Sequence, residues 1–413
     1  MNRRPSSEDR VAVALLTGGG ERHYIVGLVR ALTARGVAID IIGSNYLDGP
    51  EFHGQPGVNF LNLRGDQRTD TGFAEKVSRV LLYYARLIRY AATAKPRIFH
   101  ILWNNKFEFF DRILLMLYYR LLGKKITLTA HNVNVRKRDG NDTRLSRLTL
   151  RIQYRLTHHI FVHTEKMKRE LMEEFGVQEP RITVIPFGMN NAVPNTGMIP
   201  AVAKQLLGIP ADKRVILFFG RIAPAKGLEY LVAAFREILA RQENYQLIIA
   251  GRPDKCEKYW AAIRESIRED VQRGRILLRP EFVPDSETEI YFKAADVVVL
   301  PYRYIYQSGV LFLGYTYGLP VLAADVGSLK DDVEEGKTGF VFKPEDPADL
   351  ARTIEKYFAS DLYAGLDARR QDIRKYTLQR HSWEAVGQIT TRVYGGLLER
   401  PETAAAELPR SAR

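Results

Sequence analysis

A chain of 413 residues is too long for one hydrophobic core, and two domains are the expected organisation. Its 46% hydrophobic and 26% charged residues are those of an ordinary globular protein, and no uninterrupted apolar run approaches the ~20 residues needed to cross a bilayer. The single cysteine, Cys256, excludes an internal disulfide and fits a reducing compartment.

The formal charge of +13 is unevenly placed. Residues 1–190 carry 30 Lys and Arg against 18 Asp and Glu, while the remainder carries 31 against 30. Such asymmetry points to an anionic partner for the first half: nucleic acid, a membrane surface or a phosphorylated substrate. No nucleic-acid-binding motif accompanies the charge, so nucleic acid is not expected.

After the charged start MNRRPSSEDR, residues 11–16 read as a strand; the run is too short for the apolar core of a signal peptide. Gly18-Gly19-Gly20, a helix and the strand VAIDIIG (37–43) complete a βαβ unit. The triple glycine is either a turn or a place where backbone approaches a ligand at a helix entrance. Residues 73–93 (FAEKVSRVLLYYARLIRYAAT) and 106–125 (KFEFFDRILLMLYYRLLGKK) are helix-length, rich in Tyr, Phe and Leu and studded with Arg and Lys. From residue 71 to 170 there are 21 basic against 7 acidic residues. Helices of this kind lie on anionic lipid, or else pack their aromatics on a sheet while the cations snorkel around them.

Strand 126–130 (ITLTA) ends at His131, which places a histidine at a sheet's binding edge. The charged loop RKRDGNDTRLSR, a helix at 148–157 and a strand at 159–162 follow. His158, His159 and His163 match no zinc spacing and read as structural or surface residues. Helix 164–175 closes at Gly176, strand RITVIP follows, and the tract NNAVPNTGMIP (190–200) reads as a linker.

A second alternating series comes next. Strands are expected at 215–219, 246–250, 275–278, 296–300 and 320–323. Helices are expected at 228–240, 256–269, 286–293, 309–317, 347–358 and 383–398. Alternation in both halves implies two doubly wound parallel sheets. Around the first of these strands, VILFFGRIAPAKGLEYLV, the apolar run ends at Gly220, and Arg221 and Lys226 flank a loop that closes at Gly227. Two fixed cations at the C-terminal end of a buried strand suit a diphosphate, though solvated loop cations have the same look.

Taken together, these segments resemble the retaining glycosyltransferases of family 4 (glycosyl transferases group 1), of the bacterial surface-polysaccharide type. The resemblance rests on GGGERHYIVGLVRALTARG, VIPFGMN (184–190), FGRIAPAKGLEYL (219–231), FVPDSETEIYFKAADVVVLPY (282–302), SGVLFLGYTYGLPVLAADVGSL (308–329) and GKTGFVF (336–342). It implies the α/β GT-B fold, two Rossmann-like doubly wound domains facing across a cleft. The expected division is an acceptor-side domain at 1–194, a nucleotide-sugar domain at 195–378, a helix with Trp383 crossing back at 379–400, and a disordered tail at 401–413.

The resemblance also implies roles. Arg221 and Lys226 contact the donor diphosphate, Gly18 and Gly19 approach it from across the cleft, and His131 lies near the transferred sugar. Ser308, Gly309 and Val310 offer backbone amides to the phosphates, and Phe282 and Val283 fall where the base rests. Many members carry two glutamates at positions that here are Ile305 and Leu313. Tyr306, Gln307 and Ser308 are the nearby polar substitutes.

The expected activity is retaining transfer of a hexose from a UDP- or GDP-sugar to a sugar acceptor, polyprenyl-diphosphate-linked or oligosaccharide. It needs no metal and no cofactor beyond the donor. The basic first domain places the chain in the cytoplasm, peripheral on the inner face of the membrane. A non-catalytic binding partner and a hydrolysing sugar-nucleotide epimerase are the alternatives.

Overall fold

The computed structural model describes residues 11–68, 72–105, 107–138, 142–190 and 193–399. The charged N-terminus, Lys106, parts of the 136–147 loop and of the linker, and the tail at 401–413 lie outside the described residues.

The first half forms a seven-stranded parallel sheet from β1 (Ala12–Leu16), β2 (Ala38–Gly43), β3 (Val58–Asn62), β4 (Ile98–Ile101), β5 (Lys125–Thr129), β6 (His159–Val162) and β7 (Ile182–Val184). Their order is β3-β2-β1-β4-β5-β6-β7. The second half forms a six-stranded parallel sheet from β8 (Arg214–Phe219), β9 (Tyr245–Ala250), β10 (Ile276–Arg279), β11 (Val297–Leu300), β12 (Val321–Ala324) and β13 (Gly339–Phe342). Their order is β10-β9-β8-β11-β12-β13. Both are doubly wound sheets, as the GT-B architecture requires. Each reverses its winding once, between β1 and β4 and between β8 and β11, and such reversals open a crevice beyond the strands' carboxyl ends.

Val215, Ile216 and Leu217 of β8 are fully buried, so the strand is covered on both faces by helices. Burying each such side chain contributes about 1.5–3 kcal/mol, which holds the strand and the loop it carries at the centre of the second domain. The domains are joined by contacts as well as by chain. Phe187 stacks on Phe312 with centroids 5.2 Å apart, and the Tyr317 hydroxyl donates to the Pro194 carbonyl at 2.9 Å. The helix Trp383–Leu398 returns to the first domain and packs on the helix Arg22–Thr33. Its Trp383 ring fills a notch that exists because Gly27 and Gly188 lack side chains: a Cβ at either would stand 2.1–2.2 Å from the indole. The Trp383 indole N–H donates to the Met189 carbonyl at 2.8 Å.

Several elements differ from the sequence reading. The expected helix at 106–125 is a π-helical turn, Phe110–Leu114, continued by the helix Leu115–Leu121, and Lys125 already belongs to β5. The helix expected at 148–157 begins four residues earlier, at Arg144, because the Thr143 hydroxyl caps it by accepting from the Ser146 N–H. Strands β3 and β4 and the helix Leu366–Arg380 have no counterpart in the expected series. His159 and His163 are buried, the structural one of the two alternatives open in the sequence.

Candidate active site

The two switch points face each other. On the second domain, β8 leads through Gly220 into the loop that carries Arg221 and Lys226. Backbone bonds fix this loop: the Ile222 N–H donates to the Arg252 carbonyl at 3.0 Å and the Arg303 N–H to the Ala225 carbonyl at 3.0 Å. Gly227 turns the chain out of the loop at φ +61°, and a Cβ there would fall 2.0 Å from the Pro301 carbonyl oxygen, so only glycine fits. Lys226 Nζ sits 3.7 Å from the centre of the Tyr302 ring. Tyr302 stands just past the end of β11, and its hydroxyl lies 3.4 Å from Ser308 Oγ. Ser308 begins the helix Gly309–Thr316. Lys226, Tyr302 and Ser308 thus form one contiguous wall. The ring's negative face and the cation are matched, and burial pushes the Tyr302 phenol up to about 12, so it stays neutral.

Arg221 Nη1 pairs with Asp254 Oδ2 at 3.1 Å, an exposed pair that orients the guanidinium rather than adding much stability. No side chain caps the start of the helix Gly309–Thr316, and the Leu311 N–H turns back to the Ser308 carbonyl at 3.2 Å. A carbon added at Gly220 would meet Val310 Cγ2 at 3.2 Å, which brings the loop and the helix start together. Two strands along, past the end of β10, Phe282 is 65% exposed and Val283 is partly buried against the core. The carboxyl ends of β10, β9 and β8 therefore form one continuous edge from Phe282 to Arg221.

The first domain supplies the opposite wall. Gly18 adopts φ +63°, and a Cβ there would fall 2.2 Å from the Trp103 carbonyl oxygen. A Cβ on Gly19 would stand 2.9 Å from Arg64 Nη1. Glu21, next in the same loop, reaches across: its Oε2 lies 3.9 Å from the Cβ position of Gly309. The cleft is thus narrow where the glycine loop meets the helix start.

His131 sits inside this wall. Its ring stacks on Trp103 at 4.1 Å with 13° between planes and meets Tyr24 edge-on at 4.6 Å. Its Nδ1 is 3.0 Å from His163 Nε2, and its own Nε2 is buried without a hydrogen-bond partner. Burial, aided by His163, holds the His131 pKa well below the usual histidine range. The ring is neutral near pH 7.

Ile305 and Leu313 are 9% and 8% exposed and belong to the apolar core. Of the polar substitutes, the Tyr306 hydroxyl spans the cleft, donating to Glu170 Oε1 at 2.8 Å and accepting from the Asn134 N–H at 3.3 Å. Gln307 Nε2 donates to Asp332 Oδ2 at 3.4 Å. Sequence reasoning missed Trp103, Tyr302, His163 and Glu21. Tyr302 carried a signal, since it follows the apolar run DVVVL at a strand's carboxyl end. Among the described residues no group of three or more His, Cys, Asp or Glu is placed to hold a metal ion.

Residues 17–192 match the model of Glycosyltransferase Family 4 and residues 213–360 that of Glycosyl transferases group 1. The chain belongs to the group 1 glycosyltransferases. A D-inositol 3-phosphate glycosyltransferase of Acidothermus cellulolyticus is 29% identical over 58% of this chain, a match spanning about half (53%) of that relative. The enzyme of the same name from Corynebacterium diphtheriae is 25% identical, with 91% of this chain and 90% of the relative aligned. Among solved structures, sucrose-phosphate synthase from Thermosynechococcus elongatus superposes with a TM-score of 0.73 at 21% identity, covering 94% of this chain and 99% of that one. Anabaena HepE, solved with UDP-glucose, superposes at 0.69 with 15% identity, covering 93% and 99%. These likenesses show the shared GT-B fold.

Proposed function

We propose that the chain moves a hexose from a UDP- or GDP-sugar to a hydroxyl of a phosphate-bearing acceptor, with retention of anomeric configuration. The observation that carries this reading is the meeting of Arg221, Lys226 and the helix start at Ser308, Gly309 and Val310 at one switch point, opposite Gly18 and Gly19. The HepE structures with UDP and UDP-glucose support a nucleotide-sugar donor. The relatives' name, which contains a phosphorylated polyol, supports an acceptor with phosphate. A polyprenyl-diphosphate-linked sugar is the acceptor that best suits the basic, apolar first domain.

The difficult step is departure of the nucleoside diphosphate from the anomeric carbon. Arg221, Lys226 and the helix amides stabilise the negative charge that develops on the leaving phosphate, an effect worth about 3–4 kcal/mol per donor. The departing phosphate oxygen takes the proton of the incoming acceptor hydroxyl on the same face of the sugar, which preserves configuration. His131, neutral, orients the sugar by accepting a hydroxyl proton at Nε2. Phe282 and Val283 cradle the base.

A non-catalytic binding partner is the second reading, favoured by the burial of Ile305 and Leu313 in the core. A panel of sugar nucleotides followed by thermal shift, then by nucleotide release with and without acceptor, separates the readings. A donor at 100 times its Kd stabilises by about 2.7 kcal/mol. Release that depends on acceptor establishes transfer; binding without release in any mixture overturns it, and release that ignores acceptor points to a hydrolysing epimerase.

A further inference from the structure

The first domain holds a second cluster of basic side chains, separate from Arg221 and Lys226. Between the loop after β3 and the helix Phe73–Thr93 lies a cavity of about 170 Å³ whose walls include Arg64, Asp66, Arg68, Lys76, Arg79 and Tyr83. One water needs about 10–15 Å³, so the space admits a polyatomic group. Four cations line it against one carboxylate, Asp66, which pairs with Arg68 and lies 3.9 Å from Arg79; Glu75, which is not among the lining residues, is 3.8 Å from Arg79. The cavity is built rather than incidental. The Arg79 guanidinium donates to the carbonyls of Asp66 and Arg68 at 3.2 and 3.3 Å, which ties the loop to the helix. Arg64 lies over the Tyr83 ring, 5.4 Å from its centre.

The cavity also opens toward the cleft. Arg64 Nη1 stands 2.9 Å from the Cβ position of Gly19. Tyr83 is a shared wall with a smaller space bounded by Gly18, Trp103 and Asn105, and its hydroxyl donates to Asn105 Oδ1 at 3.1 Å. Arg64 and Tyr83 thus link the cavity to the glycine loop.

We propose that this cavity binds a phosphate or diphosphate group of the acceptor. Guanidinium forks match phosphate oxygens in pairs, and the surplus of positive charge is confined to one concave wall. The word acceptor rests on the glycosyltransferase reading; the anion site does not. A free sugar phosphate and a lipid-linked diphosphate both present this chemistry.

Calorimetric titration tests it on the full chain. The probes are D-inositol 3-phosphate and a short-chain prenyl diphosphate, each beside its unphosphorylated counterpart. Wild type binds at least one phosphorylated probe and neither neutral one, and which of the two binds identifies the source. Arg64→Ala weakens that binding about 10- to 100-fold, and Lys76→Gln, at an exposed helix position, weakens it without touching the core. Lys76→Gln keeps the wild-type affinity for the sugar nucleotide. Binding of neither phosphorylated probe, or equal binding by both variants, overturns the proposal. Absence of sugar-nucleotide binding in wild type would count against the donor reading alone.

Discussion

His163 Nε2 lies 3.0 Å from His131 Nδ1, and the other nitrogen of His163, Nδ1, faces the Ile185 carbonyl oxygen at 3.3 Å. A carbonyl only accepts, so His163 carries its proton on Nδ1 and presents a bare Nε2. His131 must then donate from Nδ1, which leaves its Nε2 as an acceptor. Burial holds the His163 pKa down to about 4, so the arrangement persists at neutral pH. The buried Nε2 of His131 is therefore a hydrogen-bond acceptor, not a donor.

This assignment predicts different outcomes at position 163. His163→Leu frees the His131 tautomer and lowers kcat/KM about tenfold, the cost of one misdirected hydrogen bond at about 1–1.5 kcal/mol. His163→Gln can still accept from His131 and donate to Ile185, and it restores most of the rate. Steady-state kinetics of the two variants decides; equal losses in both would sink the tautomer argument.

Lys226 and Tyr302 make a second pair. Lys226→Ala removes a cation from the leaving group and lowers kcat about 100-fold or more. Tyr302→Phe keeps the ring under the ammonium and costs little, whereas Tyr302→Leu removes the ring and costs about 0.5–2 kcal/mol of lysine positioning. Single-turnover rates across the three variants measure the ordering. A Lys226→Ala enzyme within threefold of wild type would remove the lysine from the reaction.

Acid should destabilise the fold. Burial lowers His100 to about 3 and both His163 and His381 to about 4, below the 6.5 of the unfolded chain. The unfolded state therefore binds more protons between pH 6.5 and about 4, and stability falls as pH drops through that window. His163 alone contributes about 3 kcal/mol. Asp332 opposes this: burial raises it to about 7, so its contribution is complete below pH 3.8 and is lost as pH rises through 7. Burial likewise lowers His131, His158 and His159 and raises Asp111 and Asp296, so the histidines outweigh the carboxyls and the denaturant midpoint falls from pH 7 to pH 5. A midpoint that rises over that interval would contradict the sign.

Much of this architecture was legible because parallel strands buried on both faces read as short apolar runs, and VILFF and DVVVL are such runs. The cationic loop was legible for the same reason: it follows the run directly. β4 was not, because IFHI is only four residues long and contains His100, whose polarity breaks the run. That histidine is tolerated in the core because its Nδ1 meets the Tyr394 hydroxyl at 2.5 Å and its Nε2 meets Thr129 Oγ1 at 2.8 Å. Tyr394 lies 294 residues away, beyond any local pattern. Trp103, which follows β4, was hidden with it, and so was the stacking that fixes His131. The burial of Ile305 and Leu313 needed the fold, since apolar residues at those positions look alike whether they line a cleft or a core.

The helix Phe73–Thr93 settles how its two faces are divided. It turns Tyr83, Tyr84, Leu87 and Ala91 inward and leaves Phe73 83%, Leu81 65% and Leu82 48% exposed. Phe73, Val77, Leu81 and Leu82 line one shallow apolar strip, with Arg86 and Arg89 exposed further along the helix. Among the described residues no helix is long and apolar enough to cross a membrane. We propose from the exposed strip and the cations beside it that this helix face lies on an anionic membrane surface. The prediction is co-sedimentation with phosphatidylglycerol-containing vesicles at low salt and not with purely zwitterionic ones. Binding should fall as ionic strength approaches 1 M, where the Debye length shrinks to about 3 Å. Leu81→Asp or Leu82→Asp should weaken it about 10- to 100-fold each, since a leucine inserted in the interface contributes about 1.5–3 kcal/mol. Both positions are on the surface, so the melting temperature should not move. Equal sedimentation with both vesicle types, or none with either, would end the membrane-surface reading and leave the strip to another partner.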